Sequence, residues 1–133
     1  MIPYSMPTYR WRKLWLLIGW LLVASVTYLS LVPDPPTLPV SAGDKVGHVL
    51  AYGTLMLWFL QLNPPSRWAV LAAALVTIGI VLELVQGLSA ARSAELLDVL
   101  ANTAGVLCGW LLGHTRAATA LQALERTLTR ISV

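Results

Sequence analysis

The stretch LWLLIGWLLVASVTYLSLV, residues 14–32, decides the fold class. It runs for 19 residues without a charge. A helix needs ~20 residues to cross the hydrocarbon core, at ~1.5 Å of rise per residue. Arg10, Arg12 and Lys13 stand just before it. A secretory leader opens in the same way, but its apolar part is usually only ~7–15 residues. No clear Ala-x-Ala site follows, so the pattern predicts a retained membrane helix. Pro33, Pro35, Pro36 and Pro39 end it and predict an extended loop, because proline lacks the N–H a helix needs.

Three further apolar runs follow. Residues 46–62 are interrupted by His48 and Tyr52, and Asn63-Pro64-Pro65-Ser66 then signals a tight turn. Residues 68–88 carry Glu83 and Gln86 near their end. A short loop around Arg92 leads to residues 96–113, with Asp98 and Asn102 near the start. The expected fold is all-α: a four-helix transmembrane bundle over residues 14–113. The tail, 114–133, has a different pattern. Leu121, Leu124, Leu128 and Ile131 recur at helical spacing, with Arg126 and Arg130 off that stripe. This predicts an amphipathic helix on the membrane surface; the alternative is a frayed polar tail.

Composition agrees with lipid as the solvent. Of 133 residues 57% are hydrophobic and 11% charged, with a mean hydropathy of +0.71. A soluble domain carries about 25% charged residues. The length suits one compact unit. The net charge of +3 does not point to nucleic acid, because the basic residues flank apolar runs and no RNA or DNA motif accompanies them. The single cysteine, Cys108, has no internal partner for a disulfide.

Orientation follows from the same basic residues. Arg10, Arg12, Lys13, Arg67, Arg116, Arg126 and Arg130 fall on one side, against Lys45 and Arg92 on the other. Positive charge is retained inside, so both termini are expected in the cytoplasm, in a bacterial-type plasma membrane. Trp11, Trp15, Trp58, Trp68 and Trp110 lie near the cytoplasmic ends, as interfacial anchors do.

This topology gathers polar groups at the outer face. Asp34, Asp44, Glu83, Glu95 and Asp98 all fall on or near that side. Asp44, His48 and Tyr52 are spaced four apart and share one face of the second helix. Glu83 and Gln86 are three apart on the third helix; Asp98 and Asn102 are four apart on the fourth. These groups are expected about 5–10 Å below the outer surface, with Lys45 and Arg92 above them. A carboxylate at membrane depth costs ~2.5–3.5 kcal/mol, so Glu83 and Asp98 call for a partner or a use. Asp44, Lys45, His48, Tyr52, Glu83, Gln86, Arg92, Asp98 and Asn102 are therefore the expected polar pocket.

Each has a plainer reading. Asp44 suits the cap of the second helix, His48 a hydrogen-bonded packing residue, and Asp98 with Asn102 interhelical glue. A metal on Asp44, His48 and Glu83 has no diagnostic spacing, and neither metal nor cofactor is expected. Ala101, Gly105, Gly109 and Gly113 form a small-residue stripe on the fourth helix. With Gly79 and Gly87 beside Glu83, it is expected to draw the third and fourth helices together.

These residues carry a family likeness. Asp44-Lys45-Val46-Gly47-His48 followed by Tyr52 resembles the Asp-Lys-x-x-His-x-x-x-Tyr signature of the VanZ-like family. Glu83 with Gln86, then Arg92, then Asp98 with Asn102 and Gly105, matches the rest of that pattern in order. Val49 stands where the family often has Phe, a mild change at an apolar position. The likeness runs from Leu14 to Gly113. The family's namesake is associated with low-level teicoplanin resistance, so the resemblance implies a role in the cell envelope and names no reaction.

Three functions compete. One is a pocket for a lipid, a head group or a glycopeptide-like ligand. Another is an enzyme on a lipid-linked substrate, with His48 as acid or base oriented by Asp44 and partnered by Glu83 or Asp98; it lacks a phosphate-binding motif and a recognisable nucleophile. The last is a proton-coupled carrier using Glu83 and Asp98 as relays, which lacks an internal repeat. Membrane lipids are the expected partners, and nucleic acid is not.

Overall fold

A computed structural model describes residues 8–88 and 93–131. Each apolar run forms a helix: α1 is Arg12–Leu31, α2 Gly43–Gln61, α3 Trp68–Gly87 and α4 Leu96–Leu112. The tail forms α5, Ala120–Ile131. Short 3₁₀ turns, Pro65–Arg67 and Arg116–Thr119, lead into α3 and α5. The described residues contain no strand.

Two helical stretches, Arg12–Leu31 and Pro65–Gly87, are long and apolar enough to cross a membrane. Leu96–Leu112 and Arg116–Ile131 make a third if that pair, bent by 78°, counts as one span. The opening turns of α2 carry Asp44, Lys45 and His48, which dilute its apolar character. The outward faces are apolar: Leu17, Trp20, Leu21 and Tyr28 on α1, Val70, Val81 and Leu84 on α3, and Leu100, Leu107 and Leu111 on α4 are all exposed. Exposed apolar surface on this scale marks contact with lipid or protein, not water.

The core is built around α2. Tyr52, Leu55, Met56, Phe59 and Leu60 pack with Trp68, Ala72 and Leu75 of α3 and Val106 of α4. The closest helix pair is α2 with α4. Glycine explains why. A Cβ on Gly105 would lie 2.4 Å from Val49 O, and one on Gly109 would lie 2.5 Å from Gly53 O. The α4 stripe therefore seats α2, which corrects the expectation that it draws in α3. Gly79 of α3 makes room elsewhere: its Cβ would meet Asn102 Nδ2 at 2.9 Å and Tyr52 Cε1 at 3.3 Å.

Asp44 does not cap α2. The helix opens at Gly43 after Ala42, whose φ of 54° is left-handed, so Asp44 falls in the first turn. An acid there still opposes the positive end of the helix dipole. The loop before it folds back tightly, for a Cβ on Gly43 would sit 2.1 Å from Leu38 O.

At the opposite end, α5 is tied to the start of α1. Glu125 accepts the backbone N–H of Arg10 at 2.7 Å and of Trp11 at 3.3 Å, and the indole N–H of Trp15 at 2.6 Å. Leu121 donates its backbone N–H to Gln61 Oε1 at 2.8 Å. The tryptophans here bond to protein instead of serving only as free anchors. Trp58 donates to Trp15 O at 3.0 Å, and Trp68 to Leu60 O at 3.2 Å.

Candidate functional site

The polar residues of α2, α3 and α4 meet at the end opposite α5. Spacing of four brings Asp44, His48 and Tyr52 onto one face of α2, and all three line a cavity of about 660 Å³. Asp98 of α4 lines it too. The proline loop forms a further wall through Pro33, Asp34, Pro35 and Pro36, and Ser93 and Glu95 contribute from the approach to α4. The volume lies in the ~300–1,000 Å³ range of small-molecule pockets.

Lys45 is the electrostatic centre. Its Nζ lies 3.0 Å from Asp44 Oδ2 and 2.7 Å from Glu95 Oε2, and it is in direct contact with Asp98 Oδ1. Asp98 is 4% exposed, and the adjacent cation offsets the water its carboxyl group has lost. No aligned hydrogen bond completes Asp98 Oδ1; its partnership with Lys45 is ionic.

His48 faces α4 with both ring nitrogens. Nδ1 lies 2.9 Å from Asn102 Oδ1, and Nε2 lies 3.6 Å from Asp98 Oδ2. The first is a hydrogen bond that fixes the ring. The second is longer than a hydrogen bond and leaves Nε2 turned toward the carboxylate. Asp98 and Asn102, one turn apart, thus hold one imidazole between them.

Tyr52 is 1% exposed, and its hydroxyl has no hydrogen-bond partner among the described residues. It lies within electrostatic reach of Glu83. Such an orphan is rare, because a buried polar group without a partner forfeits its hydration.

Glu83 and Gln86 are buried but do not line the cavity. Glu83 Oε1 accepts the backbone N–H of Glu95 at 2.5 Å and so fastens the start of α4 to α3. Gln86 Nε2 donates to Ser30 O, fastening α3 to the end of α1. Both act as struts behind the cavity wall. Arg92, expected to neutralise Glu83 or Asp98, lies outside the described residues.

Glu95 and Asp34, which are not among the nine residues expected from the sequence, both line the cavity. The signal for Glu95 was its outer-side position three residues before Asp98; nothing in the spacing tied it to Lys45. Among the described residues no group of three or more His, Cys, Asp or Glu is arranged to hold a metal.

Fold and site together define a helical, membrane-embedded class of protein with a polar cluster held among apolar helices. A family model described as VanZ/LLP1 matches residues 3–117, and the chain belongs to this VanZ-like family. No curated protein and no solved structure matches it.

Proposed function

We propose that this VanZ-like protein crosses the plasma membrane with α1 to α4, keeps both termini in the cytoplasm, and binds the polar end of a cell-envelope lipid or head group in the cavity. In this reading residues 14–113 are the transmembrane domain and 114–133 a cytoplasmic tail whose α5 lies at the membrane surface. The carrying observation is the cavity itself, about 660 Å³, lined by Asp44, His48, Tyr52 and Asp98 beneath the proline loop. Apolar Val26, Leu29 and Ala51 share that lining, which suits a ligand with both a polar and an apolar part.

Gly47 supplies the test. It lines the cavity, and a Cβ there meets no atom within 4 Å. Gly47→Trp should fill the space without disturbing a helix contact. Wild type and Gly47→Trp are extracted with native lipid, and the retained lipids are compared. Selective loss of one lipid class from the variant is expected. Identical lipid profiles would remove the cavity from the function.

A second reading, an enzyme on a lipid-linked substrate, is favoured by the fixed His48 ring. With Nδ1 anchored to Asn102, Nε2 is the nitrogen left to move a proton beside Asp98. His48→Gln that keeps lipid binding but changes the bound lipid's chemistry, as read by mass spectrometry, would favour the enzyme. Unchanged lipid chemistry in cells with and without the protein would favour simple binding.

A further inference from the structure

We infer that the cavity is entered from the side, between the halves of α1 and α2 remote from α5, by a lipid that keeps its acyl chain in the bilayer at that seam. This deepens the reading of the cavity as a ligand site and rests on it.

The two helices are joined closely at one end only. Near α5, Trp15 packs edge-on against Trp58 with ring centroids 6.1 Å apart, and Trp58 donates to Trp15 O at 3.0 Å. A Cβ on Gly19 would lie 2.9 Å from both Trp58 and Phe59. Trp15 and Gly19 are the buried residues of α1. Toward its other end α1 is fastened to α3 instead, where Gln86 Nε2 donates to Ser30 O. The cavity fills the wedge that this leaves, with Val26 and Leu29 on the α1 side and Gly47 and Ala51 on the α2 side. A Cβ on Gly47 would meet no atom within 4 Å, so the α2 edge of the wedge is open there.

The end of the wedge is less accessible than its side. The loop joining α1 to α2 lines the cavity through Pro33, Pro35 and Pro36, whose rings fix the backbone. Val40 donates to Leu38 O at 2.8 Å and Gly43 to Val40 O at 3.0 Å, which ties down the rest of that loop. At the side, Leu29 lines the cavity and is 43% exposed.

Polarity changes along the wedge as it does along a lipid. Asp44 and His48 line it near the start of α2, and Ala51 lines it seven positions after Asp44, about 10 Å further along the helix. Val26 stands five positions inside the end of α1, about 7 Å along. A head group at the carboxylate end therefore places its chain against Val26 and Ala51, pointing toward the middle of the bilayer. A wholly polar ligand would leave that apolar stretch unused.

The test uses the full chain in cells grown with a fatty acid that carries a diazirine midway along its chain and enters the cell's acyl lipids. After irradiation the protein is purified and its adducts are mapped by mass spectrometry. Adducts on residues 26–30 and 47–51 should exceed those on the exposed α4 face at Leu107 and Leu111 about tenfold, the ratio that a preference of about 1.4 kcal/mol gives. Gly47→Trp, which fills the wedge, and Leu29→Trp, which narrows it from an exposed position, should each bring the seam down to the level of the α4 face. Equal labelling of seam and α4 face in wild type would overturn side entry; if Gly47→Trp still loses a retained lipid class, the cavity stands as a ligand site. Seam adducts unchanged in both variants would be ordinary bilayer contact and would overturn side entry as well. Equal labelling together with identical lipid profiles in wild type and Gly47→Trp would overturn both readings.

Discussion

Glu125, within α5, accepts the indole N–H of Trp15, near the start of α1, at 2.6 Å. The same carboxylate accepts the backbone N–H groups of Arg10 and Trp11, which the opening of a helix leaves unpaired. One side chain thus closes the N-terminal end of α1 and docks α5. Burial works to raise the Glu125 carboxyl; the hydrogen bonds from Trp15, Arg10 and Trp11 outweigh it and hold the group below the usual carboxylate range.

Stability should therefore depend on Glu125 in one direction of pH. A carboxyl lowered in the folded state contributes stability above its unfolded value and loses it as pH falls through the folded value. Thermal unfolding of the detergent-solubilised chain should show wild type losing stability between about pH 5 and about pH 3. Glu125→Gln should cost about 2 kcal/mol at neutral pH, from weakened charge-assisted bonds, and flatten that acid limb. An acid limb unchanged in the variant would mean another group controls it.

Glycine substitutions should separate contact from open space. Gly105→Ala and Gly109→Ala drive a methyl onto the Val49 and Gly53 carbonyls, which are backbone and cannot step aside. Each should cost about 1–3 kcal/mol. Gly113→Ala presses at 2.8 Å on the end of the Leu60 side chain and at 2.9 Å on Trp110 O, at the helix edge, and should cost less. Gly47→Ala meets nothing and should stabilise α2 by about 0.5–1 kcal/mol. Melting temperatures of the four variants check the order; equal values would mean α2 and α4 are not packed through these glycines.

Much of this was legible in spacing, because both helices and their faces are periodic. The apolar runs mark where helices form, and the four-residue step from Asp44 to His48 to Tyr52 puts all three on one wall. The step from Asp98 to Asn102 puts both beside the His48 ring. What spacing does not carry is which helix answers which. A small-residue stripe admits any neighbour, so Gly105 and Gly109 alone do not say that their partner is Gly53 and not Gly79. The link from Glu125 to Trp15 spans 110 positions and follows from docking of α5, not from any local pattern. Lys45 choosing Glu95 beside Asp98 is likewise decided by how the loop approaches α4.

Topology can be read directly by labelling. Cys108 is exposed, so the probe background is Cys108→Ser. A cysteine at Thr37, in the proline loop, should react with an impermeant maleimide added to intact cells. One at Thr119, before α5, should react only after the membrane is opened. The expectation rests on the excess of basic residues flanking the N-terminus, the 63–67 turn and the tail. The reverse labelling would invert the orientation and move the cavity to the cytoplasmic face.

The last prediction concerns Lys45 and Asp98. Asp98 is 4% exposed and rests against the Lys45 ammonium. Removing the cation alone strands a buried carboxylate, and Lys45→Met should cost about 3 kcal/mol. Asp98→Asn alone leaves Lys45 with Asp44 and Glu95, at 3.0 and 2.7 Å, so the ammonium keeps partners and the cost should be smaller. In the double variant no charge is left buried, and the loss should fall below the sum of the two singles. A double-mutant cycle on melting free energies measures that coupling. Strict additivity would show that Lys45 serves the surface carboxylates alone and does not couple to Asp98.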